Sequence, residues 1–205
     1  MLKLRMLSQG IAGPRFEKPE EVVEWMGAMQ AQDIRAAKWA VGLRIASPSL
    51  TAVQEALDTG RILRLHVMRP TWHYIPGRDI KWMTGLSTKG LLSKFRFYAK
   101  HFSLTEEDFL RSKPQIEEVL SGQHLTSQEV LEQLHSKGIA LDEPIVKMYL
   151  SFGEADGTVC SGIEKNGKHT YALTSPMRRL LQNLHGDISG ATVRPHWKIL
   201  FGGLH

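Results

Sequence analysis

"RILRLHVMRPTWHYIPG", residues 61–77, is where the pattern of this chain changes. Upstream, apolar residues recur at helical spacing; here β-branched and aromatic residues crowd together. The stretch predicts a strand, a break at Pro70 and a second strand ending near Pro76-Gly77. Three helical segments precede it. "EKPEEVVEWMGAMQ" (17–30) places Pro19 in a first turn and acidic residues at the positive end of the helix dipole. Val22, Trp25, Met26 and Met29 recur at its helical spacing. "IRAAKWAVGLRI" (34–45) offers Ile34, Ala37 and Val41 as a buried stripe, and "SLTAVQEALDTG" (49–60) closes on Gly60. Helices followed by a short β-ribbon predict a helix-turn-helix carrying a wing.

The order then repeats. "TEEDFLRSKPQIEEVLSG" (105–122) reads as a helix that Pro114 kinks or splits. "LTSQEVLEQLHSKG" (125–138) opens with Thr126 and Glu129 in capping-box spacing and closes with Gly138. "DEPIVKMYLSFGEADG" (142–157) carries the next helix, with Asp142 as its cap. Two short strands follow around Asn166-Gly167, a tight-turn signal. The expected fold is α+β, mainly helical, built from tandem winged-helix modules. The expected boundaries are 1–103 for a first module with bridging helices, 104–180 for a second, and 181–205 for a tail. That tail, interrupted by Pro195, Gly202 and Gly203, either packs on the second module or is the remnant of a third.

The 205 residues and a 42% hydrophobic content predict a real core and exclude disorder. A single cysteine, Cys160, excludes an intramolecular disulfide, and no long apolar run opens the chain. No membrane partner is expected, and the cytoplasm is the default location. No metal cluster or Gly-rich phosphate loop stands out, so neither metal nor cofactor is expected.

Charge is uneven. Residues 1–103 carry 16 Lys/Arg against 8 Asp/Glu, whereas 104–205 carry 10 against 13. A basic front half suggests a polyanion; a basic surface with no such partner is the competing reading. The candidate phosphate contacts are Arg35, Lys38 and Arg44 around the second helix, and Arg61, Arg64 and Arg69 in the ribbon. A later basic run, Lys89, Lys94, Arg96 and Lys100, is interleaved with Phe95, Phe97 and Tyr98. Leu91, Leu92, Phe95 and Tyr98 also fit a buried face. The last helix of the second group has one cation, Lys147, beside Glu143, Glu154 and Asp156. That composition suits a scaffold better than a reader of base edges.

Between the first two helices stands "MQAQD" (29–33). Gln30 and Gln32, two residues apart, cannot share a helix face. Extended chain would point both to one side, with Ala31 toward the core. Such amides can hold a water or read a base edge; they can also be ordinary exposed polar groups at a helix end.

Taken in order, "QAQ" (30–32), Arg69, Thr71 and His73 in the ribbon, Asp79 and Trp82, and "DGTVCSG" (156–162) resemble a known family over roughly residues 1–175. These motifs are similar to those of tandem winged-helix proteins related to the bacterial DNA glycosylases that excise alkylated bases and unhook interstrand crosslinks. The resemblance implies a C-shaped scaffold cradling double-stranded DNA, with Gln30 and Gln32 as catalytic residues at the N-glycosidic bond. A purine alkylated at N7 or N3 is already cationic and leaves with little acid help, so the amides would orient a water. Asp33 would stabilise the developing sugar cation and His73 would position substrate, although His73 also fits a purely structural place in the ribbon. Members of this family are longer, with a third module. A chain lacking it is expected to bind DNA poorly, to act as a homodimer, or to be an inactive or truncated relative. Two rival functions stay open: a non-catalytic, regulatory DNA-binding protein, and a protein-interaction scaffold.

Overall fold

The computed structural model describes residues 2–13 and 15–174. The proposed tail at 181–205 and the last residues of the second module lie outside them.

The period change at residue 61 does produce a β-ribbon. Strands β2 (Ile62–His66) and β3 (Trp72–Pro76) pair antiparallel, with Leu63 opposite Ile75 and Leu65 opposite His73. The ribbon tip spans Val67–Thr71, where Met68 takes a positive φ of 62° and stays exposed. A third strand, β1 (Met29–Gln30), pairs with β3 and gives the sheet order β1-β3-β2. Every residue of β2 is buried, because both faces of the sheet are covered. Ile62 and Tyr74 pack with Val22, Val23, Val41, Val53 and Ala56 from the helices before the ribbon. Leu63, Leu65, Val67 and Ile75 pack on the other side with Ile80, Met83 and Cys160.

Those preceding helices are α2 (Pro19–Met26), α3 (Ile34–Gly42) and α4 (Leu50–Asp58). Asp33 and Ser49 cap α3 and α4 by accepting from the third backbone N–H of each helix. Trp25, which recurs at helical spacing with Val22, is 58% exposed, and Val22 and Val23 supply the core face of α2 instead. A short helix, α1 (Leu2–Ser8), precedes them without a buried residue.

Helix α5 (Ile80–Ala99) is one continuous element of 20 residues. Its N-terminal half packs under the ribbon, through Ile80 and Met83. Its C-terminal half supplies Leu91, Phe95 and Ala99 to a separate core with Phe109, Ile116, Leu134, Leu150 and Phe152. This helix therefore ties the two helical groups together. The second group is α6 (Glu106–Leu120), α7 (Ser127–Ser136) and α8 (Glu143–Asp156), followed by β4 (Val159–Ser161) and β5 (Tyr171–Leu173). Pro114 neither splits nor ends α6, which runs through it. The Thr126–Glu129 capping box forms as its spacing predicts. Asp142 occupies the cap position of α8 but makes no capping bond through its side chain. Asn166 and Gly167 both take positive φ, as the turn requires.

Gly153 marks a close approach of α8 to β4. A Cβ there would lie 2.7 Å from Val159 Cγ2 and 3.2 Å from Val159 Cβ. Gly153→Ala should therefore lower stability by about 1–3 kcal/mol through overpacking, outweighing the roughly 1 kcal/mol that alanine gains in a helix. Urea denaturation decides the sign. A more stable variant would mean that α8 and β4 can separate without cost.

Candidate nucleic-acid interface

The motif at 29–33 is extended, and burial alternates along it. Met29 and Ala31 are buried; Gln30 and Gln32 are exposed. The two amides thus leave the chain on the same side, as two-residue spacing in a strand dictates. Ala31 N–H donates to Trp72 O at 2.7 Å, and the Trp72 backbone N–H reaches Gln32 Oε1 at 3.4 Å.

Arg64 fixes the other edge of this segment. Its Nε donates to Ala31 O at 2.8 Å and its terminal nitrogen to Gln32 O at 3.3 Å. The guanidinium lies over the Trp72 ring, 4.1 Å from the centroid. Burial pulls the Arg64 pKa down from its usual value, offset in part by Tyr74 and the Glu154 carboxylate. The backbone N–H of Arg64 donates to Ser161 Oγ at 2.8 Å, joining β2 to β4.

Gln32, Arg35, Arg64 and Trp72 form one wall of an open cleft of about 740 Å³. The opposite wall comes from the second group: Thr126, Ser127 and Gln128 at the start of α7, with Lys168, His169 and Tyr171. Arg35, Arg64 and Lys168 bring positive charge, and the N-terminus of α7 adds a partial one. Two carboxylates also line the cleft, each with its own partner. Asp33 Oδ1 accepts from Ala36 N–H at 2.9 Å, and Glu143 pairs with Lys147 at 2.6 Å.

The remaining expected site residues lie elsewhere. Gln30 sits opposite His73 in the β1–β3 register, so their side chains share a sheet face, and neither lines the cleft. His73 Nδ1 donates to Thr71 O at 2.8 Å, and burial pushes its pKa down, so a neutral ring presents Nε2 as an acceptor. Arg44 is buried and donates to Gln9 O and Ala40 O, which makes it a clasp between the N-terminal turn and α3 rather than a surface contact. Arg61 pairs with Glu20 and Glu55. Lys38 reaches Glu164 at 2.8 Å, bridging α3 to the second group. Arg69 is exposed at the ribbon tip. Lys94 and Arg96 are exposed on α5, the latter paired with Glu106. Asp79 accepts from Trp82 Nε1 at 2.9 Å, so this motif fastens the start of α5.

Spacing missed a buried polar cluster behind the cleft. His66 Nδ1 bonds the Glu154 carboxylate of α8 across the junction. Trp72 packs between His66 and His169, with ring centroids 4.2 and 4.3 Å away. His169 Nε2 has no hydrogen-bond partner among the described residues, and burial holds its pKa well below the usual histidine range. Glu154, read from sequence as an acid unfavourable to DNA, is fully buried and turned away from solvent. Its place after an apolar run in α8 was the available signal. Among the described residues no group of three or more His, Cys, Asp or Glu could hold a metal ion. No described helix is long and apolar enough to cross a membrane. Burial pushes the Cys160 thiol up to about 12.

The family described as DNA glycosylase AlkZ-like matches residues 23–194, a span that includes the extended Gln-Ala-Gln segment and both walls of the cleft. The chain belongs to the AlkZ-like DNA glycosylase family. Among solved structures it is similar to the Streptomyces sahachiroi DNA glycosylase AlkZ, with a TM-score of 0.64 and 20% identity. That match covers 83% of this chain and 47% of the other, so the chain spans about half the length of that relative. No curated protein matches it. The likeness in fold to AlkZ supports the α+β, mainly helical class expected from the sequence.

The buried Glu154 gives a pH test. Burial holds its carboxyl above the ordinary value of 4.5, against the pull of His66 and Arg64. A raised folded pKa contributes stability that is fully present below the unfolded value and is lost as pH rises through the folded one. Glu154→Gln removes this titration. The stability advantage of the parent over the variant should therefore shrink as pH rises above the ordinary carboxylate range in urea denaturation. An advantage that widens over that rise would assign the dominant effect to the ion pair with His66.

Proposed function

We propose that this AlkZ-like chain binds double-stranded DNA across the cleft between its two helical groups and hydrolyses the N-glycosidic bond of alkylated bases. The reading treats residues 1–103 and 104–180 as two winged-helix modules, joined by α5. The element order supports this: helix, strand, helix, helix, hairpin in the first group, and three helices with a hairpin in the second.

One observation carries the catalytic part. Gln32 stands at the mouth of a cationic cleft with its backbone held by Arg64 and its Oε1 near the Trp72 N–H. An amide so placed can orient a water toward a sugar carbon. A base alkylated at a ring nitrogen is already a good leaving group, so the protein need only position the nucleophile and stabilise the sugar cation. Asp33, whose carboxylate is fixed by its cap bond, supplies negative charge at the same wall. Gln30 and the neutral His73, one cross-strand step away, would act on the flanking strand. Of the two expected phosphate contacts on the cleft wall, Arg64 gives its guanidinium to the Ala31 and Gln32 carbonyls, whereas Arg35 is exposed and makes no ion pair among the described residues; Arg69 is exposed at the ribbon tip. Solution in the cytoplasm suits such a protein.

A second reading, DNA binding without excision, is favoured by one fact: Gln30 and Gln32 do not line the cleft together.

Release of N7-methylguanine from methylated duplex DNA separates the two. Gln32→Ala should lower the excision rate about 100-fold, and Gln30→Ala by less, while duplex affinity stays within about twofold. Tight, salt-sensitive duplex binding with no base release from the parent chain would leave the non-catalytic reading.

A further inference from the structure

Helix α5 shows solvent a face that neither the cleft nor the core uses. From Ile80 to Ser103 the sequence holds five Lys/Arg and no Asp or Glu. Among the described residues Lys89, Lys94 and Lys100 are exposed and make no ion pair; only Arg96 meets a carboxylate, Glu106. On the same outward side Phe97 is 64% exposed and Tyr98 46%. Their rings meet edge to face at 5.8 Å, and His101 meets Phe97 at 5.9 Å. The core does not account for them. Leu91, Phe95 and Ala99 fill the opposite side of the helix, which corrects the expectation that Tyr98 is buried with them.

Two glycines belong to the exposed side as well. A Cβ added at Gly85 or Gly90 would meet nothing within 4 Å. Glycine is unfavourable in a helix interior, and here no packing contact explains it. A bare helix surface does allow another backbone to approach closely.

We propose that this face of α5 binds single-stranded DNA, with Phe97 and Tyr98 stacking on unpaired bases and Lys89, Lys94 and Lys100 following the phosphates. Charge selects the occupant. A protein partner would need a matching acidic surface, whereas a nucleic-acid strand carries a negative charge at every phosphate. Exposed aromatic rings between cations distinguish a single strand, whose bases are open for stacking, from a duplex, whose bases are already stacked. The family points to DNA over RNA. The surface is separate from the cleft, so its function does not depend on excision.

Fluorescence anisotropy of a labelled oligo-dT and of a duplex of the same length tests this on the full chain. Phe97→Ala/Tyr98→Ala should weaken oligo-dT binding about tenfold or more, with duplex affinity and base release changed less than about twofold. Phe97→Trp/Tyr98→Phe should retain binding. Lys89→Gln/Lys94→Gln should reduce the salt dependence of log K by about 1.4, the single-strand slope for two phosphates. Gly90→Glu should weaken the oligo without loss of thermal stability. Unchanged oligo-dT affinity in the aromatic variant overturns the proposal, as does tighter binding to oligo-U. A parent dimer that the aromatic variant dissociates at unchanged oligo affinity would make the face an interface between copies.

Discussion

The guanidinium of Arg64 is the joint on which the rest of this structure turns. One side chain holds the carbonyls of Ala31 and Gln32, stacks on Trp72 and lies near the buried Glu154. Its own backbone is tied to Ser161 in the other helical group. A cation taken out of water is costly unless its donors are satisfied. Two of them are taken up here by the Ala31 and Gln32 carbonyls, which follow the two-residue strand β1. The planar fork of arginine suits two neighbouring carbonyls in a way that a lysine ammonium does not. The extended course of residues 29–32, and hence the outward direction of both amides, follows from this bond set and from the β1–β3 pairing.

That joint also explains why the two helical groups stand where they do. Both faces of β2 are buried, one against α2–α4 and the other against α5 and Cys160 of β4. His66 meets Glu154, Lys38 meets Glu164, and Arg64 meets Ser161 across the same boundary. The cleft is what remains open between these contacts. Its positive character is a local product of Arg35, Lys168 and the α7 terminus, more than of the basic front half as a whole. Arg44 and Arg61 spend their charge on internal partners.

Much of the fold was legible in the sequence because local chemistry dictates it. The strand-break-strand at 61–77, the Thr126–Glu129 capping box and the Asn166-Gly167 turn are each set by residues close in sequence. The site was less legible. Extended spacing did place Gln30 and Gln32 on one side with Ala31 inward, but which wall each amide faces depends on residues from 64 to 171. The Glu154–His66 contact joins positions 88 apart, and no periodicity announces such a pair. Helical spacing puts Glu154 in line with the buried Val146 and Leu150, but does not name the partner that its carboxyl meets. Tyr98 misled in the opposite direction: its place beside Leu91 and Phe95 suggests a core, and only packing reveals that the core was already full.

On the proposed mechanism, Arg64 acts on chemistry through the placement of Gln32. A double-mutant cycle with Arg64→Lys and Gln32→Ala, read as the rate of N7-methylguanine release from duplex DNA, tests it most directly. If Arg64 works by holding the Gln32 backbone, the double variant will be about as slow as Gln32→Ala alone, with all variants folded by circular dichroism. Losses that multiply, each substitution slowing release independently of the other, would contradict the account and return Arg64 to a separate role.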